Sequence, residues 1–176
     1  MNIANKVTMI RLVLIPVFVV CFYIYGTSYN IAAIVFLVAS LTDALDGYLA
    51  RSRNLVTNFG KFVDPLVDKV LTIAAFIVLV EAKVIPAWAV IIIIARELII
   101  TGFRTLAADM GITIAASVWG KAKTISQMVS LVMLLLNVSL LNKVGIYVFY
   151  IAVILTVLSG WDYLVKNKKV LDLENI

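Results

Sequence analysis

Four aspartates fall within the 26 residues from Asp43 to Asp68, in a chain whose surroundings are almost wholly apolar. Asp43 and Asp46 are three apart, Asp64 and Asp68 four apart, and either spacing puts two carboxylates on one face of a helix. Two such pairs on adjoining helices form an oxygen-ligand cage suited to hard divalent cations. Between the pairs lie Arg51, Arg53, Lys61, Gly47 and Gly60, with Asn58-Phe59-Gly60 reading as a turn. Arg51, one helical turn beyond Gly47, could fork onto a phosphate, and the glycines let a ligand approach the backbone closely. Divalent cations, a phosphate-directed arginine and open backbone together suit a metal-bridged diphosphate. Two metals there would clamp the attacking and leaving oxygens of a phosphoryl transfer. The competing reading, four merely solvated aspartates, has to contend with the mutual repulsion of carboxylates so closely spaced. It also has to explain why ionisable groups stand near membrane depth, where they are costly and usually functional.

The elements that must hold these residues are helices. The chain has 176 residues, is 64% apolar and 14% charged, and has a mean hydropathy of +1.10; a soluble domain is about 45–50% apolar with about 25% charge. This is the composition of a polytopic membrane protein, all-α because open sheet edges are not tolerated in lipid. Six apolar segments can be drawn at 8–26, 29–50, 63–81, 84–106, 121–141 and 144–165, each near the ~20 residues that cross a hydrocarbon core. The second runs into the aspartate stretch and the third begins inside it. Asn5, Thr8 and Arg11, at steps of three, suggest a short N-terminal interfacial helix leading into the first span. Trp161, Tyr163 and the lysines after them read as an interfacial anchor, and Gly102 and Gly160 as points of close helix approach. With no internal repeat, residues 1–176 form one domain.

Charge sets the orientation. Lys6, Arg11, Arg51, Arg53, Lys61, Lys69, Arg104, Lys121, Lys123, Lys166, Lys168 and Lys169 share one side, leaving Lys83 and Lys143 on the other and Arg96 within a segment. Twelve against two places both termini and the aspartates in the cytoplasm. The net charge of +5 therefore answers to topology and anionic headgroups, not to nucleic acid. The chain contains no histidine, so acid–base work falls to Asp, Glu, Lys, Tyr or water. Cys21, the single cysteine, reads as a small buried hydrophobe. No cleavable signal peptide is expected, because apolar segments recur along the whole chain.

The pattern Asp43-x2-Asp46-Gly47-x2-Ala50-Arg51-x8-Gly60-x3-Asp64-x3-Asp68 resembles, at all eight positions, the signature of the CDP-alcohol phosphotransferase family. The resemblance implies six helices, a cytoplasm-facing site, and transfer of a phosphatidyl-type group from a CDP-linked donor to an alcohol with release of CMP. It implies two divalent cations, Mg²⁺ or Mn²⁺, with Asp43, Asp46, Asp64 and Asp68 as metal ligands and Asp68 also as general base. Asn5, Thr8, Asp46, Gly47, Ala50, Arg51 and Gly60 are the implied CDP-lipid contacts. A homodimer in the bacterial inner membrane is implied as well.

The acceptor is a separate question. Ala95-Arg96-Glu97, Arg104, Gly120-Lys121-x-Lys123-Thr124 and Gln127, with Asn5-x2-Thr8-x2-Arg11 and Asp162-Tyr163, are similar to the branch of the family whose acceptor is sn-glycerol 3-phosphate and whose donor is CDP-diacylglycerol. Arg104, Lys121 and Lys123 would then hold the acceptor's phosphate; positive-inside topology explains the same three residues equally well. Serine, inositol phosphate or another phosphatidyl group remain as acceptors within the family. Outside it stand a cation-transport protein and a silent lipid-binding protein. Asp68→Asn is expected to abolish turnover while leaving CDP-lipid binding largely intact, measured by CMP release and by lipid binding; full activity would remove its role as base.

Overall fold

A computed structural model describes the backbone of residues 3–27, 30–52, 58–111 and 117–167, and within them the side chains of 9–27, 30–42, 66–67, 69–111 and 117–167. Six helices follow one another: α1 (Ile3–Tyr25), α2 (Ile31–Ser52), α3 (Asn58–Glu81), α4 (Ala87–Asp109), α5 (Val118–Leu135) and α6 (Ser139–Lys166). Among the described residues there is no strand. Each helix stands on one of the apolar segments, and two expectations change. Asn58-Phe59-Gly60 is not a separate turn but the start of α3. The N-terminal stretch does not form a separate short helix. It continues into α1 without a break, because nothing between Ile3 and Pro16 forbids helical backbone and Pro16 sits inside the helix, as long apolar helices tolerate.

The short connections make antiparallel hairpins. Gly26 (φ 58°), Asn30 (φ 55°) and Lys83 (φ 58°) take left-handed backbone at two of them, and Gly26 N–H donates to the Phe22 carbonyl at 2.7 Å to close α1. These reversals collect at one end of the bundle. There the Tyr23 hydroxyl donates to Glu81, tying α1 to α3. The Asn137 amide donates to the Asn30 side chain, tying the α5–α6 reversal to the start of α2. Alternation then brings the second half of α2, the beginning of α3, the ends of α4 and α6 and the beginning of α5 to the opposite end.

The core between the ends is alkyl and aromatic. Phe18, Phe36, Phe76, Phe149, Leu71, Leu79, Leu131 and Leu134 are essentially fully buried. Ring pairs join α1 to α2 (Phe18–Phe36, 5.7 Å) and α3 to α6 (Phe76–Phe149, 5.9 Å). α6 packs along both α5 and α4, and α1 along α2 and α3. Among the described residues α6 is the helix long and apolar enough to cross a bilayer by itself, with shorter apolar stretches at Met9–Tyr25 and Ile31–Thr42. Much of the outer surface is nevertheless alkyl: Val13, Ile34, Ile91, Leu98, Ile125, Ile151 and Ile154 all face outward.

Two glycines separate packing from mere composition. A Cβ on Gly145 would stand 3.0 Å from the Met133 Cβ and 3.1 Å from the Leu134 Cδ2, whereas one on Gly102 would meet nothing within 4 Å. Gly102 is therefore not the close helix approach expected of it; Gly145, at the α5–α6 contact, is. Gly145→Ala is expected to cost about 1–3 kcal/mol through overpacking. Gly102→Ala should be neutral or gain up to about 1 kcal/mol from helix propensity. Thermal unfolding in detergent compares them, and equal midpoints would contradict this packing.

Candidate active site

The backbone places the expected motif residues at one end of the bundle. Asp43, Asp46, Gly47, Ala50 and Arg51 lie in the last three turns of α2, Gly60, Asp64 and Asp68 in the first three turns of α3, and Asn5 and Thr8 in the first two turns of α1. The side chains at these positions lie outside the described residues. Arg11, the next described residue of the Asn5-x2-Thr8-x2-Arg11 series, is completely buried. Among the described side chains no three of His, Cys, Asp or Glu gather at one point.

At the same end, α3, α4, α5 and α6 enclose a cavity of about 490 Å³. Lys69, the residue after Asp68, lies on its wall, so the aspartate helix and the cavity are continuous. One side is apolar, from Ile73 and Phe76 of α3 and Ile93 and Ile100 of α4. The other side is charged. Arg104, Lys121 and Lys123, the three cations proposed for an acceptor phosphate, all line it, together with Arg96, Glu97 and Thr101. The helices place them by register: α4 carries Arg96, Glu97 and Arg104, and α5 opens on Ser117, whose hydroxyl accepts from the Gly120 amide at 3.0 Å, an N-cap that starts the helix just before Lys121 and Lys123.

The three cations are not equivalent. Arg104 and Lys121 are exposed, but Lys123 is buried and its ammonium pairs with Glu97 across the α4–α5 boundary. Arg96 approaches the same carboxylate oxygen at 3.4 Å, so the Arg96-Glu97 pair expected mid-segment is present and shared with a third charge. Glu97 thus meets two cations, one from its own helix and one from α5. The Lys69 ammonium donates to the Thr101 hydroxyl, and Thr101 in turn donates to the Glu97 carbonyl at 2.6 Å. Deeper in, Gln127 Nε2 donates to the buried Thr156 hydroxyl at 3.1 Å, fastening α5 to α6 below the cavity floor.

Tyr163 departs from its expected role. It is 4% exposed and lines the cavity, whereas Trp161 beside it is 73% exposed and suits the interfacial anchor. Two residues apart on a helix point about 200° apart, so one faces out when the other faces in. Sequence reasoning also counts Lys69 only among the flanking charges. Its position directly after Asp68 is the signal that could have assigned it to the cavity.

The model of the CDP-alcohol phosphatidyltransferase family matches residues 1–158. The chain is similar to proteins named CDP-diacylglycerol–glycerol-3-phosphate 3-phosphatidyltransferase from several bacteria. The relative from Bacillus subtilis is 41% identical over 99% of both chains, and that from Haemophilus influenzae 42% identical over 93% of this chain and 91% of the relative. One from Rickettsia bellii is 36% identical over 96% of each.

The shared carboxylate makes a sharp test of the cavity wall. Glu97→Leu is expected to cost on the order of 3 kcal/mol, because it removes the carboxylate that buried Lys123 and Arg96 both meet. Adding Lys123→Met should recover a large part of that loss in detergent unfolding; an additive loss from the second change would show the two residues do not act as a pair.

Proposed function

The chain belongs to the CDP-alcohol phosphatidyltransferase family and is a CDP-diacylglycerol-dependent phosphatidyltransferase of phospholipid biosynthesis; on that premise we propose that its acceptor is sn-glycerol 3-phosphate, giving phosphatidylglycerophosphate and CMP. The observation that carries the acceptor is the charge of the cavity. Lys69, Arg96, Arg104, Lys121 and Lys123 line it, with Glu97 as the carboxylate among the described residues. An anionic acceptor suits such a basic wall, and a guanidinium is well suited to a phosphate. Serine would bring no net charge. Inositol phosphate would, but the names of the relatives favour glycerol 3-phosphate.

Asp43, Asp46, Asp64 and Asp68 would hold two divalent cations. The donor set fits: four carboxylates from the end of α2 and the start of α3 are the hard oxygen ligands that Mg²⁺ or Mn²⁺ takes. Cations held there would neutralise the diphosphate and the charge that develops on it. Arg51 would hold the CDP diphosphate, with Gly47, Ala50 and Gly60 admitting it to the backbone and Asn5 and Thr8 bordering the nucleotide. The acceptor hydroxyl oxygen bonds to the phosphorus of the phosphatidyl group as the bond from that phosphorus to the CMP phosphate oxygen breaks, and its proton passes to Asp68. A carboxylate is the natural acceptor in a chain without histidine.

All six helices would cross the bacterial inner membrane, with termini and cavity on the cytoplasmic side. The distribution of twelve basic residues against two supports this, as does the outward alkyl surface of α1, α2, α4 and α6. The diacylglycerol tails would remain in the bilayer beside the site, and the working unit would be a homodimer. Arg104→Ala tests the acceptor assignment. It is expected to raise the KM for glycerol 3-phosphate about tenfold or more, the worth of a charge-assisted hydrogen bond, with little change in the KM for CDP-diacylglycerol. Equal effects on both would show the anion site lies elsewhere.

A further inference from the structure

Helix α6 adds no charge to the cavity wall, yet it touches both arginines of α4. A Cβ on Gly160 would stand 3.2 Å from the Arg96 Cγ and 3.8 Å from its Nε, so the Arg96 side chain lies flat against the bare α6 backbone there. One turn on, the Arg104 guanidinium carbon sits 5.9 Å from the centroid of the Tyr163 ring, within the range of a cation–π contact. That ring is itself held edge-on by Phe103 at 5.7 Å. Gly160 and Tyr163, three residues apart, share a face of α6.

The spacing of the two contacts matters more than either contact alone. Eight residues separate Arg96 from Arg104, about 12 Å of helical rise, whereas three residues, about 4.5 Å of rise, separate Gly160 from Tyr163. Neighbouring positions on one face of α6 therefore meet two arginines that are more than two turns apart on α4. Both arginines line the cavity that a phosphate would enter, Arg96 with Glu97 beside it.

We propose that Gly160 and Tyr163 are positioning residues that seat Arg96 and Arg104 on the cavity wall for the phosphate of an anionic acceptor. The proposal rests on the acceptor reading above and assigns its selectivity for a phosphorylated alcohol partly to a helix that lends the cavity no charge. The Tyr163 hydroxyl is buried without a hydrogen-bond partner among the described residues, so the seat is the ring and not the hydroxyl.

Three variants test this by steady-state CMP release at varied glycerol 3-phosphate and varied CDP-diacylglycerol. Tyr163→Leu, which removes the ring, is expected to raise the acceptor KM about three- to tenfold. Tyr163→Phe, which keeps the ring, should stay within about twofold of the parent protein. Gly160→Ala, which asks Arg96 to give by only a few tenths of an ångström, should raise the acceptor KM severalfold with the CDP-diacylglycerol KM and melting temperature unchanged. Matching rises in both KM values, no rise with Leu or Ala, or a rise with Phe equal to that with Leu would overturn the proposal. If Tyr163→Leu does not fold, the Phe and Ala variants still decide. A parent protein that shows no glycerol 3-phosphate-dependent release defeats the acceptor reading itself; an active parent with unmoved variants defeats only the positioning role.

Discussion

Lys123 and Glu97 meet between α4 and α5 in a bundle whose core is mostly alkyl and aromatic. An ion pair away from water is tolerated only when neither partner is left alone, and this one has Arg96 as a third member. The pair links α4 to α5 and puts charge on the cavity wall between them. Phe76, Phe149 and Leu134 are buried deeper in the core, while the cavity at the end beside the aspartate helices is lined with charge.

The rest of the fold serves to bring distant stretches of chain to that end. Hairpin reversals gather at the opposite end, where Asn30 and Tyr23 link neighbouring helices. Each pass of the chain consequently returns to the site end at a fixed place. The motif residues of α2 and α3 arrive next to the cations of α4 and α5 with no long loop needed to carry them. Lys69 marks the junction, since it follows Asp68 in sequence and faces the cavity in space.

Much of this was legible from residues alone. Period and apolar length locate six helices within a few residues, because each segment is a single uninterrupted apolar run. The i,i+3 and i,i+4 aspartates identify the motif, because that spacing has one geometric meaning on a helix. What stayed hidden was pairing across helices. Nothing local says that Glu97 answers Lys123, 26 residues on, or that Arg104 lies over Tyr163. Tyr163 looked interfacial because its neighbours are Trp161 and lysines, and only the rotation of α6 turns it inward. Gly102 and Gly160 looked alike, yet one faces open space and the other an arginine. The Asn58-Phe59-Gly60 turn failed because Asn and Gly are punctuation in loops and also stand at helix starts. The metal ligands and the base remain inferences from residue type and spacing, consistent with helix ends that share one end of the bundle.

The central claim is that carboxylates on α2 and α3 and cations around the adjoining cavity serve one reaction between a CDP-linked lipid and an anionic alcohol. The most direct measurement is CMP release by the purified protein with CDP-diacylglycerol, Mg²⁺ and each acceptor supplied separately. Release that depends on glycerol 3-phosphate, and not on serine or inositol phosphate, is the predicted result. Release only with an uncharged or zwitterionic alcohol, or none with any acceptor in protein shown to be folded, would contradict it.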